Sequence, residues 1–345
     1  MKVGIINVTG YAGSETARII QQHPEFEITS ITGRSAAGKQ LGDIFPHLES
    51  VNLKITEEID GSPDLIISAL PHAASAQSIE PFISSGFKTL DLSADFRLKD
   101  IPTYEEWYKV EHPSPNLINQ SVYGLPELHL KEISTSNLIA VPGCYPTSSI
   151  LGLAPAVESG IITSDIIIDA KSGVSGGGRS FSLSNHYSEV NENVMAYSLD
   201  GHRHLPEISQ ELNQLQEKQS KPLNITFLTH LVPMTRGIMS SCYAPLKETI
   251  SGKKDIKKIV NEIYQDYYSN SPFTKIVESP PMTKQTLGSN MCLIYPTVDL
   301  RTNRLIVISC IDNLIKGTAG QAVQSMNIMC GYEETTGLTN LAIYP

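Results

Sequence analysis

The sequence predicts an α/β protein in two parts: a Rossmann-type doubly wound parallel sheet, and an α+β domain built on a mixed, largely antiparallel sheet. Three observations carry this. Short apolar runs alternate with helix-like segments through the first third of the chain, the first pair joined by a Gly-rich turn. Past the middle the β-rich runs lengthen and alternate polar with apolar residues. A length of 345 residues also exceeds the usual size of one core.

Taken in order, Val3–Val8 reads as a buried strand, followed by a helix from about Ser14 to Gln22 that stops at His23-Pro24. Glu27–Thr32 and Asp64–Leu70 are further strands, Ala73–Ser85 is a helix, and Lys88–Leu92 and Ile139–Pro142 are strands again. Strand, helix, strand with short turns is the signature of crossover-connected parallel strands. In the second part, Asp165–Ala170, Asn224–Leu228, Met239–Pro245, Cys292–Leu300 and Leu305–Ile311 read as strands. Helices near Pro206–Lys218 and Lys254–Ser269 cover one face of that sheet. Lys316–Met329 carries small and apolar residues at helical spacing and reads as a helix returning to the first domain. The expected limits are 1–145 with 313–345 for the first domain, and 146–312 for the second.

The composition narrows the function. An apolar fraction of 40% with 18% charged residues is ordinary for a soluble globular enzyme. Lys and Arg number 26 against 36 Asp and Glu, so the net charge is −10. That balance argues against nucleic acid or an anionic membrane as partner, and it requires local Arg residues to receive an anionic substrate. No apolar run approaches the roughly 18 residues of a membrane span. The chain enters a strand almost at once, with no basic leader, which predicts a cytoplasmic protein. Its five cysteines are widely spaced and never in CxxC form, which speaks against a disulfide framework or a zinc site.

The segment Asn7-Val8-Thr9-Gly10-Tyr11-Ala12-Gly13-Ser14-Glu15 joins the first strand to the first helix. A turn there lets helix N-terminal N–H groups approach a pyrophosphate, so Gly10, Tyr11, Ala12 and Gly13 are candidate cofactor contacts. Asn7 stands where the first glycine of such turns is usual, and asparagine tolerates left-handed geometry. After the second strand, where an enzyme using NAD places an acid, this chain has Gly33-Arg34-Ser35. A guanidinium and a hydroxyl suit a 2′-phosphate, so NADP(H) is the expected cofactor, with Arg34 and Ser35 among its ligands.

Cys144 stands in Val141-Pro142-Gly143-Cys144-Tyr145-Pro146-Thr147-Ser148, where a strand ends and a helix begins near Pro146. A thiol at a helix N-terminus is stabilised as the thiolate, and the same N–H groups can hold an oxyanion. Cys242, Cys292, Cys310 and Cys330 lie on strands or an apolar helix face and read as inert. The acid/base partner is sought in Gly201-His202-Arg203-His204-Leu205-Pro206-Glu207, whose two histidines project to one side of an extended segment. One is the base, and the other, with Glu207, holds it or binds substrate. The glycine-rich loop from Ser172 and Gly173 to Arg179 is expected to wrap the site and offer N–H groups and Arg179 to a phosphate-bearing ligand. Arg97, after another strand, is a second candidate Arg.

In order, GYAGSE (10–15), GRSAAGK (33–39), ALPH (69–72), DLSADFRL (91–98), YGLPEL (123–128), VPGCYPTS (141–148), SGVSGGGR (172–179), GHRHLPEI (201–208) and DNLIKGTAGQAVQ (312–324) span nearly the whole chain. This set resembles the N-acetyl-γ-glutamyl-phosphate reductases of arginine biosynthesis, relatives of aspartate-semialdehyde dehydrogenase. The resemblance implies Cys144 as nucleophile and His202 as base, with His204 and Glu207 beside it and Arg97 on an anion. It further implies Asn313 near the nicotinamide and Pro71 at the cofactor, an NADP-binding first domain, and a catalytic second domain that also makes a homo-oligomer, a dimer or tetramer. The implied reaction is the NADPH-dependent reduction of an acyl phosphate through a cysteine thioester. A sister group acting on a carrier-bound aminoadipyl phosphate looks like GCNAT where this chain has Gly143-Cys144-Tyr145-Pro146-Thr147, so the free acetylated glutamyl substrate is preferred. The alternatives are another acyl phosphate (aminoadipyl or aspartyl) and, in a different class, a non-catalytic NADP sensor.

Overall fold

In the computed structural model, which describes residues 1–217 and 220–345, the short apolar runs of the first third become the strands of one parallel sheet. They are β1 (Lys2–Ile6), β2 (Glu27–Ile31), β3 (Leu65–Ser68), β4 (Lys88–Asp91), β5 (Ser121–Tyr123) and β6 (Leu138–Ala140). Their order is β2-β1-β3-β4-β6-β5, with every pairing parallel. The helices between them are α1 (Tyr11–Ile20), the single turn α2 (Leu41–Ile44), α3 (Ser75–Ser84), α4 (Ile101–Tyr108) and α5 (Pro126–Thr135). β3 is buried at all its positions, as a parallel strand covered on both faces should be. The sequence reading missed β5, a strand of three residues too short to show alternation.

This sheet belongs to a unit made of Met1–Gly143 and Thr318–Asn340. The later segment supplies α10 (Gly320–Met329), which packs against α1 and α5. The strand order reverses at β1, so the carboxyl ends of β1 and β3 form a switch point, where doubly wound sheets take their ligands. α1 begins at Tyr11 and not at Ser14, so the glycine-rich segment forms its first turn.

The second unit comprises Cys144–Gly317 and Leu341–Pro345. It opens with α6 (Cys144–Glu158), followed by β7 (Asp165–Ser172), the single turn α7 (Tyr187–Val190), β8 (Met195–Tyr197), α8 (Leu205–Gln214), β9 (Asn224–Leu231) and β10 (Ile238–Pro245). Then come α9 (Ile256–Tyr267), β11 (Thr274–Ile276), β12 (Cys292–Asp299) and β13 (Arg304–Ile311). The seven strands run β11-β12-β13-β10-β7-β9-β8, parallel only in β7–β9 and β11–β12. The sheet is therefore mixed and mostly antiparallel, as expected. α8 ends at Gln214, whereas the expected helix extended to Lys218, which lies outside the described residues.

α6 lies on the inner face of this sheet, with α8 and α9 beside it, and all but its two end residues are buried. Pro155 lacks the N–H that a helix would give to the Leu151 carbonyl. The Tyr268 hydroxyl donates to that carbonyl instead, at 2.5 Å, and Tyr264 donates to Gly152 O at 2.8 Å. A helix with no solvent around it thus keeps its backbone acceptors satisfied. The expected helix over Lys316–Met329 is instead a π-helical turn, Ile315–Ala319, followed by α10.

Candidate active site

At the switch point of the parallel sheet, Asn7 adopts φ 63°, the left-handed geometry asparagine tolerates. Its Nδ2 donates to Ala69 O at 2.8 Å, and its N–H donates to Thr32 Oγ1 at 3.2 Å, which ties together the ends of β1, β2 and β3. Gly13 follows in the first turn of α1, where an added Cβ would meet Val8 Cα at 2.8 Å. Glycine is required there because the helix end lies directly on the strand end. No side chain caps α1, and its first turn carries no acid. The start of the helix at Tyr11, Ala12 and Gly13, preceded by Gly10, therefore suits an anion.

A cavity of about 570 Å³ opens beside this turn. Asn7, Thr32, Arg34, Ser35, Glu57 and Glu58 give it polar walls, and Leu70 and Phe82 contribute apolar surface. Its size and mixed lining fit one half of a dinucleotide. Arg34 and Ser35 are in the cavity wall. The two carboxylates were not anticipated, and no local motif announces them: the backbone pairing of Thr32 with Thr56 brings their segment to the end of β2. Pro71 lies in the exposed turn between β3 and α3, its carbonyl accepting from Ala74 N at 3.3 Å.

Arg97, the second candidate Arg, lies in the loop after β4. It is 4% exposed, and its guanidinium donates to Val141 O at 2.7 Å and Leu92 O at 2.9 Å. Two of its nitrogens thus hold the loops after β4 and β6 together, a structural task that an Arg buried beside backbone carbonyls performs well.

In the second unit, Cys144 is the first residue of α6, with no acid in the first turn. The helix therefore starts two residues before the expected Pro146, and the thiol belongs to the helical turn itself. Cys144 and Cys330 are partly exposed, while Cys242, Cys292 and Cys310 are buried; burial raises the Cys330 thiol above its ordinary value. Burial pushes the Cys242 and Cys310 thiols up to about 12, which keeps them protonated and inert.

The residue after Cys144 leads to the histidines. The Tyr145 ring meets His202 edge-on at 5.4 Å between centroids, and Tyr197 and Phe227 each meet His202 at 5.6 Å. The rings of His202 and His204 are 4.7 Å apart. This closeness does not come from an extended segment. His204 has helical φ and ψ as the residue preceding α8, and its N–H donates to His202 Nδ1 at 3.1 Å. A neutral His202 whose Nδ1 accepts a hydrogen bond carries its proton on Nε2. Burial, and after it the Arg203 charge, lowers His202 to about 4, so the ring is neutral at physiological pH. At rest His202 is therefore a neutral ring that can donate at Nε2.

Around this ring, the Tyr197 hydroxyl donates to Tyr145 Oη at 3.0 Å, and Tyr145 donates to His230 O at 3.3 Å. Burial raises both phenols, Tyr197 to about 12, so they stay neutral donors. Ser172 hydrogen-bonds Tyr145, and Glu207 is buried in the first turn of α8. Tyr197 and Phe227 were missed by the sequence reading: neither lies in a motif, and only β8–β9 pairing brings their segments together.

The loop from Ser172 to Arg179 is braced and not an open anion nest. The N–H groups of Gly173, Val174, Ser175, Gly176 and Gly178 donate to protein carbonyls. Arg179 is exposed at the loop's end. Asn313, expected at the nicotinamide, is 1% exposed, with Oδ1 accepting from Gly237 N at 2.7 Å and Nδ2 donating to Ser175 Oγ at 2.9 Å. Its carboxamide locks this loop to the turn before β10.

Two family models match the chain in succession: semialdehyde dehydrogenase, NAD binding domain, over residues 2–136, and semialdehyde dehydrogenase, dimerisation domain, over residues 144–313. N-acetyl-gamma-glutamyl-phosphate reductase of Dehalococcoides mccartyi is 53% identical over 344 residues, covering all of this chain and 99% of that protein. The enzyme of the same name from Pelotomaculum thermopropionicum is 47% identical, with the same coverage. Among solved structures, aspartate semialdehyde dehydrogenase II from Vibrio cholerae aligns with a TM-score of 0.70 at 15% identity, over 96% of this chain and 98% of that one. The Candida albicans aspartate semialdehyde dehydrogenase, solved with NADP, aligns with a TM-score of 0.67 at 14% identity, over 95% and 98%. These two likenesses establish the shared fold.

Proposed function

The chain belongs to the N-acetyl-γ-glutamyl-phosphate reductase family, and on that premise we propose that it reduces N-acetyl-γ-glutamyl phosphate to N-acetylglutamate semialdehyde and phosphate, with Cys144 carrying the acyl group. The observation that carries this reading is the place of Cys144: a partly exposed thiol opening a buried helix, next in sequence to the tyrosine that packs on His202.

The thiolate of Cys144 attacks the acyl carbon, a C–S bond replaces the C–O bond to phosphate, and phosphate leaves with the electron pair. The N–H groups and the positive dipole end at the start of α6 stabilise both the thiolate and the oxyanion of the tetrahedral state. When bound, the nicotinamide supplies the hydride that reduces the thioester. Collapse of the Cys144 hemithioacetal re-forms the carbonyl and returns the electron pair to sulfur. His202, neutral and protonated at Nε2, donates to the negative charge as it develops, and the Tyr145–Tyr197 pair holds the ring in place. His204, its ring 4.7 Å from that of His202, and Glu207 in the first turn of α8 are the proposed substrate-binding neighbours.

The cofactor is a nicotinamide dinucleotide, and the form we propose is NADP(H). Arg34 and Ser35 in the cavity wall support the 2′-phosphate, and the carboxylates of Glu57 and Glu58 set the selectivity against that attraction. Catalysis through a free thiol suits a reducing, cytoplasmic compartment. The outer face of the second sheet, with Leu228, Tyr243, Tyr295, Ile306 and Ile308 all half-buried, supports a homo-oligomer through that face.

The reverse reaction tests substrate, cofactor and chemistry together. N-acetylglutamate semialdehyde, phosphate and NADP⁺ should give reduced cofactor, faster than with NAD⁺ and faster than the aspartyl or aminoadipyl semialdehydes. Arg34→Ala should remove most of the preference for NADP⁺. Cofactor binding with no phosphate-dependent oxidation of any of the three aldehydes would mark the chain as a sensor.

A further inference from the structure

We propose that Gly317 is a positioning residue for Cys144: its missing side chain lets a π-helical turn bear directly on the nucleophile's backbone and so fixes where the thiol stands at the start of α6. This deepens the reading of Cys144 as nucleophile and rests on it. A Cβ added to Gly317 would lie 2.8 Å from Cys144 Cβ, 3.2 Å from Cys144 Cα and 3.2 Å from Ile311 Cδ1. Approach to 2.8 Å of a Cβ, with its Cα at 3.2 Å, cannot be relieved by rotating a side chain, because neither atom moves without its backbone. Any residue but glycine must therefore push Cys144 or the turn away.

The turn is held from below, so it is Cys144 that yields. Gly317 N donates to Asp312 O at 3.0 Å, a bond across five residues that belongs to the π geometry of Ile315–Ala319. Asp312 is fully buried, and its Oδ1 accepts from Leu314 N at 2.8 Å and Ile315 N at 3.3 Å. Its Oδ2 accepts from Gly288 N at 2.8 Å, with Arg236 Nη1 at 3.7 Å. The neighbouring Lys316 is buried as well, its Nζ 5.8 Å from the Phe273 ring centroid. A turn anchored at so many points is stiff. Cys144 is the first residue of α6, so even a displacement by a fraction of an ångström there moves the thiol itself. Such a shift moves sulfur relative to the positive dipole end of α6, which raises the thiol pKa and misplaces the attack.

The test is Gly317→Ala in the full-length protein, with folding checked by circular dichroism and the Cys144 alkylation rate followed by peptide mass spectrometry as a function of pH. The expected result is a folded protein whose kcat falls about 100-fold while KM for the acyl phosphate changes little. Its alkylation midpoint should also move to higher pH, a displacement a merely structural glycine does not produce. If Gly317→Ala folds poorly, Ile311→Val in the same chain frees the methyl that crowds the new Cβ, and the double variant should fold with the Cys144 defect retained. A folded variant with wild-type kcat and alkylation midpoint overturns the proposal, and so does a chain that folds in neither form. Failure of the underlying reading has a different signature: wild-type Cys144 would then react no faster than Cys330, the other partly exposed thiol.

Discussion

Burial disfavours the charged form of an imidazole, and at His202 this effect outweighs everything around it. With the ring lowered to about 4, protonation sets in only well below the ordinary range of histidine. The folded value lies beneath the unfolded one, so the stability this group contributes is present above about 6.5 and is lost as pH falls through about 4. The kcat/KM profile should accordingly show no acid limb near 6.5 from this residue; loss of activity should begin only near 4, in buffers where the fold persists. An acid limb between 6 and 7 that vanishes in His202→Asn would contradict the assigned neutral state. Arg97 and Asn313 bear polar groups suited to ligands, yet both are buried with those groups on backbone and loop partners. A motif records which residue type is needed and not whether its partner is a substrate or the chain itself.

The seven-stranded sheet presents alternate residues to α6 on one face and an open surface on the other. The register places Tyr243 opposite both Ile167 and Ile306, and Ile308 opposite Tyr295, all on the outer side. An apolar sheet face of this kind is ordinarily covered. Tyr243→Asp should therefore shift the protein to monomers in sedimentation velocity while leaving its circular dichroism unchanged; a wild-type protein that sediments as a monomer at micromolar concentration would rule this face out. The long runs that make this sheet were legible because alternation over eight residues, as in Cys292–Asp299, has one good solution. β5, β8 and β11, three residues each, carry no period and are defined only by their neighbours. The π turn at Ile315–Ala319 was hidden for a similar reason, since its cause is the buried Asp312 and not the spacing of its own side chains.

At the scale of the molecule, each unit brings one half of a reductase. One offers a cavity at the switch point of a parallel sheet, with the Asn7–Gly13 turn and Arg34 beside it. The other offers a thiol at a helix start, a caged neutral imidazole and a braced loop. The candidate site was legible where chemistry requires a particular residue type at a particular turn, as at Cys144, His202 and Arg34. It was illegible where residues far apart in sequence meet, as at Tyr197, Phe227, Glu57 and Gly317. The central claim is that Cys144 carries the acyl group, and the direct measurement is intact-protein mass spectrometry after mixing with N-acetyl-γ-glutamyl phosphate in the absence of nicotinamide cofactor. The expected result is one N-acetylglutamyl adduct per chain, mapped to the Cys144 peptide, discharged by NADPH and absent from Cys144→Ser. An unmodified protein that nonetheless turns over when cofactor is added, or an adduct on any other residue, would contradict it.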